Sequence, residues 1–191
     1  MASLSDAKTL GGIGSILMLV SIIPSAFGVL WIVGLVLVLI AVKYISEVLE
    51  DKTVFNNLLI SVILVVIGVI IAVAVAFSFM FSYFGGFRYA TGPWMDMGPR
   101  FYESLTAVFL ILIPLWIFSI VSTIYLRKSY NTIASRLNIS MFSTAGTLYL
   151  IGAVLTILFI GFIIIFVAEI LQAVAFFSIP EKMPQASQPA V

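Results

Sequence analysis

The stretch from Gly146 to Phe177 constrains this chain more than any other. After its opening glycine it reads TLYLIGAVLTILFIGFIIIFVAEILQAVAFF, about 32 residues with one ionisable group, Glu169. As a single straight helix it would be roughly 48 Å long, well beyond a hydrocarbon core of about 30 Å. The rest of the chain has the same character. It is 63% hydrophobic and 9% charged, where soluble domains run at about 45–50% and 25%. Nothing of this size could cover so much apolar surface in water, so the expected fold class is all-α, a polytopic transmembrane helical bundle.

Composition also removes whole classes of function. There is no cysteine and no histidine. That excludes disulfides, thiolate chemistry, the usual general base and the commonest metal ligands. A net charge of +1 lacks the dense basic face that nucleic acid requires. No catalytic residue, cofactor or metal site is expected, and the chain reads as a non-enzyme. The lipid bilayer is the expected surrounding, with a second copy or another membrane protein as the candidate partner.

Five spans are expected, at 6–23, 27–49, 54–81, 104–126 and 144–177, in one domain over 1–178, with a disordered tail at 179–191. Leu10–Ile23 is a short apolar run, but Lys8 is offset by Asp6 and Pro24-Ser25-Ala26 is a poor cleavage site, so a retained helix is expected rather than a signal peptide. Ser5 is its expected N-cap. Pro24-Ser25 separates it from the second helix as a tight hairpin. The far end of that second helix is amphipathic, with Lys43 and Glu47 paired at i,i+4. Gly11, Gly14 and Gly152, with the stripe Gly68, Ala72 and Ala76, are candidate helix-packing positions, because small residues let backbones approach closely. The loop from Ser82 to Glu103 is rich in aromatic rings and turn formers and is expected to anchor at the membrane surface. Pro114 interrupts the fourth helix, where Ser119, Ser122 and Thr123 offer hydroxyls to freed carbonyls or to neighbours. Arg127-Lys128 is expected to stop it, followed by a short amphipathic helix around Tyr130, Ile133, Leu137 and Met141.

Five spans put the termini on opposite sides. With the N-terminus inside, Lys8, Lys43, Lys52, Arg127, Lys128 and Arg136 are cytoplasmic, and Arg88, Arg100 and Lys182 lie outside. The expected location is therefore the cell membrane, multi-pass, N-terminus cytoplasmic and C-terminus outside. The sequon Asn138-Ile139-Ser140 then falls inside, where it is inert.

The long apolar run also echoes the start of the chain. Residues 5–17 align with 143–155, matching Ser5 with Ser143, Thr9-Leu10 with Thr147-Leu148, and Ile13-Gly14 with Ile151-Gly152. A weaker continuation pairs Gly34–Ala41 with Gly161–Ala168. On this alignment the last helix is a fused counterpart of the first hairpin, bent near Gly161, and the repeat is parallel rather than inverted. Leu4–Gly14, Ile40–Ser46 and Ile170–Pro180 resemble the uncharacterised archaeal integral membrane proteins of domain-of-unknown-function family 996. The resemblance implies an archaeal cytoplasmic membrane and supplies no activity.

Glu169 is the single candidate for chemistry, with Gln172 one turn away. A carboxylate within an apolar span is costly and is by default a functional hypothesis. The competing placement is the headgroup layer, which the alignment of Glu169 with Val42, next to Lys43, favours. Met95-Asp96-Met97 without His or Cys reads as an interfacial turn. The favoured function is a scaffold or subunit of a membrane assembly. The alternative is a small transporter or channel using Glu169.

Overall fold

A computed structural model describes residues 3–21, 27–86 and 97–181. These form six helices: α1 (Leu4–Val20), α2 (Phe27–Val48), α3 (Lys52–Gly86), α4 (Met97–Leu137), α5 (Ser140–Leu155) and α6 (Ile160–Phe177). Five of them, α2 to α6, are long and apolar enough to cross a membrane. The 17-residue α1 is not among them. Each helix packs against its neighbours in the chain, and α6 returns to α1, so the six close into a ring.

The helices begin and end for local reasons. Ser3, not Ser5, caps α1: its hydroxyl accepts the Asp6 N–H at 3.0 Å and donates to the Asp6 carboxylate at 2.7 Å. Asp51 opens α3 by accepting from the Thr53 N–H and hydroxyl, and these bonds hold its carboxyl below the usual range. The turns after α2 and α4 share one design. Glu50 and Asn138 take left-handed backbone (φ 52° and 57°). The next N–H reaches back five residues, Asp51 to Ser46 at 3.1 Å and Ile139 to Ala134 at 3.0 Å.

The run 144–177 is not one helix. Its expected bend near Gly161 is a reversal through a 3₁₀ turn at Thr156–Leu158, with Phe159 left-handed at φ 62°. The turn is apolar apart from Thr156, whose hydroxyl bonds back to the Gly152 carbonyl at 2.7 Å. The Trp116 indole N–H from α4 takes up two carbonyls at the end of α5, Ala153 at 3.0 Å and Val154 at 3.2 Å, which the helix itself leaves unmatched. Nor does α4 stop at Arg127-Lys128. Basic residues do not break a helix, and α4 continues to Leu137 because Tyr130, Ile133 and Leu137 are buried in the core.

These two changes correct the expected topology. Gly11 of α1 lies against the Phe176 ring of α6, and Ser15 reaches Gln172, so α1 and α6 run antiparallel. Leu4 and Phe177, the outer ends of α1 and α6, therefore sit at the same end of the bundle. The core fills that end, where Tyr130, Phe142 and Phe176 stack edge to face at 5.5 and 5.1 Å between centroids. Ile179, the first residue of the expected tail, is also buried there. Residues 182–191 of the expected tail, 87–96 of the expected surface loop with Met95 and Asp96, and Pro24-Ser25 lie outside the described residues.

Candidate functional site

Two hairpins, α1–α2 and α5–α6, position the site, and each crosses at a pair of glycines. A Cβ on Gly34 would lie 2.6 Å from the Gly14 carbonyl oxygen, and one on Gly14 would lie 2.7 Å from that of Gly34. Gly161 meets the Gly152 carbonyl in the same way, and a Cβ on Gly152 would lie 3.1 Å from the Gly161 oxygen. Backbones this close leave no room for side chains. Of the other candidate packing positions, Gly68 faces Phe118 of α4, Ala72 is buried, and Ala76 is exposed.

Above the packed end the ring is unfilled. A cavity of about 280 Å³ is lined by residues from all six helices. Its floor is a buried polar chain. The Tyr130 hydroxyl donates to Gln172 Oε1 at 2.7 Å, Gln172 Nε2 donates to Ser15 Oγ at 2.9 Å, and Ser15 donates to the Gly11 carbonyl at 2.8 Å. This chain ties α4, α6 and α1 together with every group matched, which is what a buried polar network requires. On the opposite wall Ser61 of α3 and Ser122 of α4 bond to each other at 2.9 Å, and Thr123 bonds back to the carbonyls of Ser119 and Ile120.

Two polar groups in the wall are not used this way. Glu169 lies one turn from Gln172, partly buried, and among the described residues its carboxylate has no hydrogen-bond or ion-pair partner. The Tyr149 hydroxyl of α5 is buried with no hydrogen-bond partner among the described residues. The remaining wall is aliphatic and aromatic, with Met18, Trp31, Leu35, Val38 and Ile165 prominent. The cavity is not sealed. Val66 on its margin is 45% exposed, and α2 and α3 make less contact than the other inter-helix pairs of the ring.

The predicted pair Glu169 and Gln172 is thus brought to one cavity but divided in role. Gln172, 3% exposed, is consumed by the floor, and Glu169 is left open. Sequence reasoning missed Tyr130, Tyr149, Trp31 and Ser15. Tyr149 had a visible signal, being the lone polar ring in an apolar run. Ser122 was noted for its hydroxyl but not for its partner across α3. No group of three or more His, Cys, Asp or Glu side chains suited to a metal ion occurs among the described residues.

A family model described as "Protein of unknown function (DUF996)" matches residues 30–170, a stretch that contains Trp31, Tyr149 and Glu169. An uncharacterized protein of Methanocaldococcus jannaschii is 37% identical over 183 residues, covering 94% of this chain and 95% of the relative. No solved structure matches the chain.

Proposed function

This chain belongs to the family of proteins of unknown function DUF996, and from that premise we propose that it is a multi-pass protein of an archaeal cell membrane that admits a small solute to a cavity inside its own helix ring. This is the carrier or channel reading, with Glu169 as the site's charge and both termini cytoplasmic. One observation carries it: a cavity walled by all six helices holds a carboxylate to which no described residue offers a partner. An unpaired carboxylate in an apolar span is too costly to be filler. In this reading the α1–α2 and α5–α6 hairpins are two copies of one unit, since the aligned pairs Gly14/Gly152 and Gly34/Gly161 make the same crossing.

The scaffold reading is the weaker one. It rests on small-residue stripes and on the aromatic loop from Ser82 to Glu103; Gly11, Gly14, Gly68 and Gly152 spend their close contacts within the chain, and residues 87–96 of the loop lie outside the described residues.

The native chain has no cysteine, which allows a direct test. In proteoliposomes, Ser122→Cys in the cavity wall should react with a small methanethiosulfonate reagent, whereas Ile133→Cys in the packed core should not. Protection of both would overturn the reading of an accessible cavity. Proteoliposomes loaded with a pH-sensitive dye should show proton or cation flux that Glu169→Gln abolishes, and unchanged flux in that variant would remove Glu169 from the mechanism.

A further inference from the structure

We infer that the occupant of this cavity is an amphipathic organic cation, a protonated amine on a compact apolar body. The inference rests on the accessible-cavity reading above and names the ligand class that its chemistry selects. Subtraction gives the recognition groups. Tyr130, Gln172 and Ser15 satisfy one another, Ser61 and Ser122 satisfy each other, and Thr123 bonds to its own helix. What remains is one carboxylate, Glu169, and one buried phenol without a partner, Tyr149. An ammonium group complements that pair, donating to the carboxylate and to the phenol oxygen as charge-assisted hydrogen bonds.

The alternatives fit worse. A hard divalent cation takes about six to eight oxygen ligands, or a near-octahedral set, and this wall has one carboxylate and no acidic cluster among the described residues. An anion would face Glu169 with no described basic residue in the lining. A neutral apolar molecule would leave both the carboxylate and the phenol unmatched. The rest of the wall suits the body of an amphiphile. Met18, Leu35 and Ile165 are aliphatic, and Trp31 presents a ring on which a cation or an aromatic group can lie. An apolar cavity of roughly 150 Å³ takes up benzene, so about 280 Å³ accommodates a ring and a short amine arm. The exposed margin at Val66 is the side from which a molecule dissolved in a bilayer would enter.

The test uses the full chain in phosphatidylcholine nanodiscs, with phenethylamine and its neutral counterpart phenylethanol as probes, by calorimetry. Phenethylamine should bind on the order of 10- to 100-fold more tightly than phenylethanol, the worth of a charge-assisted hydrogen bond. Glu169→Gln should erase that preference while leaving phenylethanol binding unchanged and the melting temperature unchanged or raised. Tyr149→Phe should weaken the amine about threefold to tenfold. Equal binding of the two probes by the unmodified chain would overturn the cation class even if no variant folds, and so would undiminished amine binding by Glu169→Gln. Either result leaves the cavity reading standing if Ser122→Cys still reacts, whereas no binding together with a protected Ser122→Cys removes both. Adding an aminophospholipid to the nanodiscs weakens phenethylamine binding if the natural amine is a lipid headgroup, and leaves it unchanged if it is a free solute.

Discussion

The glycine crossing of the first hairpin makes a sharp energetic prediction. In Gly34→Ala the new Cβ would sit 2.6 Å from the Gly14 carbonyl oxygen, 2.8 Å from Met18 Cγ and 3.0 Å from the Met18 nitrogen. Met18 Cγ belongs to a flexible side chain and can turn away, but the other two atoms are backbone. Restoring ordinary contact at 3.4 Å requires α1 and α2 to separate by about 0.8 Å at their crossing. Interiors resist such shifts, and overpacking of this size costs about 1–3 kcal/mol. Better helix propensity returns at most about 1 kcal/mol. With the full propensity gain, a net loss of up to about 2 kcal/mol is therefore expected. Gly28 in the same helix is the control, since a Cβ there meets nothing within 4 Å, and Gly28→Ala should be neutral or slightly stabilising. Equilibrium unfolding in mixed detergent–denaturant micelles, followed by helical circular dichroism, measures both. Equal effects at Gly34 and Gly28 would refute the crossing geometry, because without the close backbone contact nothing at Gly34 would oppose the substitution.

Two further outcomes follow from the polar floor and the closed ring. Tyr130→Phe leaves Gln172 Oε1 buried without its donor and should cost about 1–3 kcal/mol, nearer the low end for helix–helix bonds in a membrane, whereas Tyr149→Phe removes an unpartnered hydroxyl and should leave unfolding in the same micelles unchanged or slightly harder. Ser3→Cys and Glu181→Cys, each a lone thiol in a cysteine-free chain, should both react with an impermeant maleimide from the same face of oriented vesicles; labelling from opposite faces would break the α1–α6 closure.

Much of this bundle was legible in the chain because long apolar runs advertise helices, and Lys43 and Glu47 meet at 4.0 Å on an exposed face as their spacing implied. What was not legible was where helices stop. Turn reading relies on Gly, Pro and polar clusters, and the α5–α6 reversal avoids those signals. Glu50 and Phe159 occupy left-handed backbone without being glycine, and the α5–α6 reversal runs through Ile157, Leu158 and Phe159 with only Thr156 as a polar marker. The stabilising group for that reversal, the Trp116 indole, comes from 37 residues upstream, so no local window contains it. The one available hint was length: roughly 48 Å of helix exceeds a bilayer by more than half, and folding back on itself is the alternative to protruding. Arg127-Lys128 misled for the opposite reason. It was read as the end of a helix, and α4 runs through it to Leu137.

The alignment of the two hairpins bears most directly on Glu169. Matching Glu169 to Val42 seemed to move the acid to a span edge, because Val42 precedes Lys43. The inference depended on Val42 being peripheral, and Val42 is 0% exposed, packed in the core with Ala41 and Ile45. The equivalent position in the first hairpin is therefore an interior one. Gln172 aligns in the same way with Ile45, also fully buried. Two apolar core positions of one hairpin are thus an acid and an amide in the other, on the same helix face and one turn apart. The amide is neutralised structurally, by Tyr130 on one side and Ser15 on the other. Packing alone would be served at least as well by a Val and an Ile, as in the first hairpin, since a partly buried unpaired carboxylate costs stability. Under the proposed repeat, Glu169 is the position where the second hairpin departs from apolar packing, and the proposed cation, by supplying the missing charge, accounts for that departure.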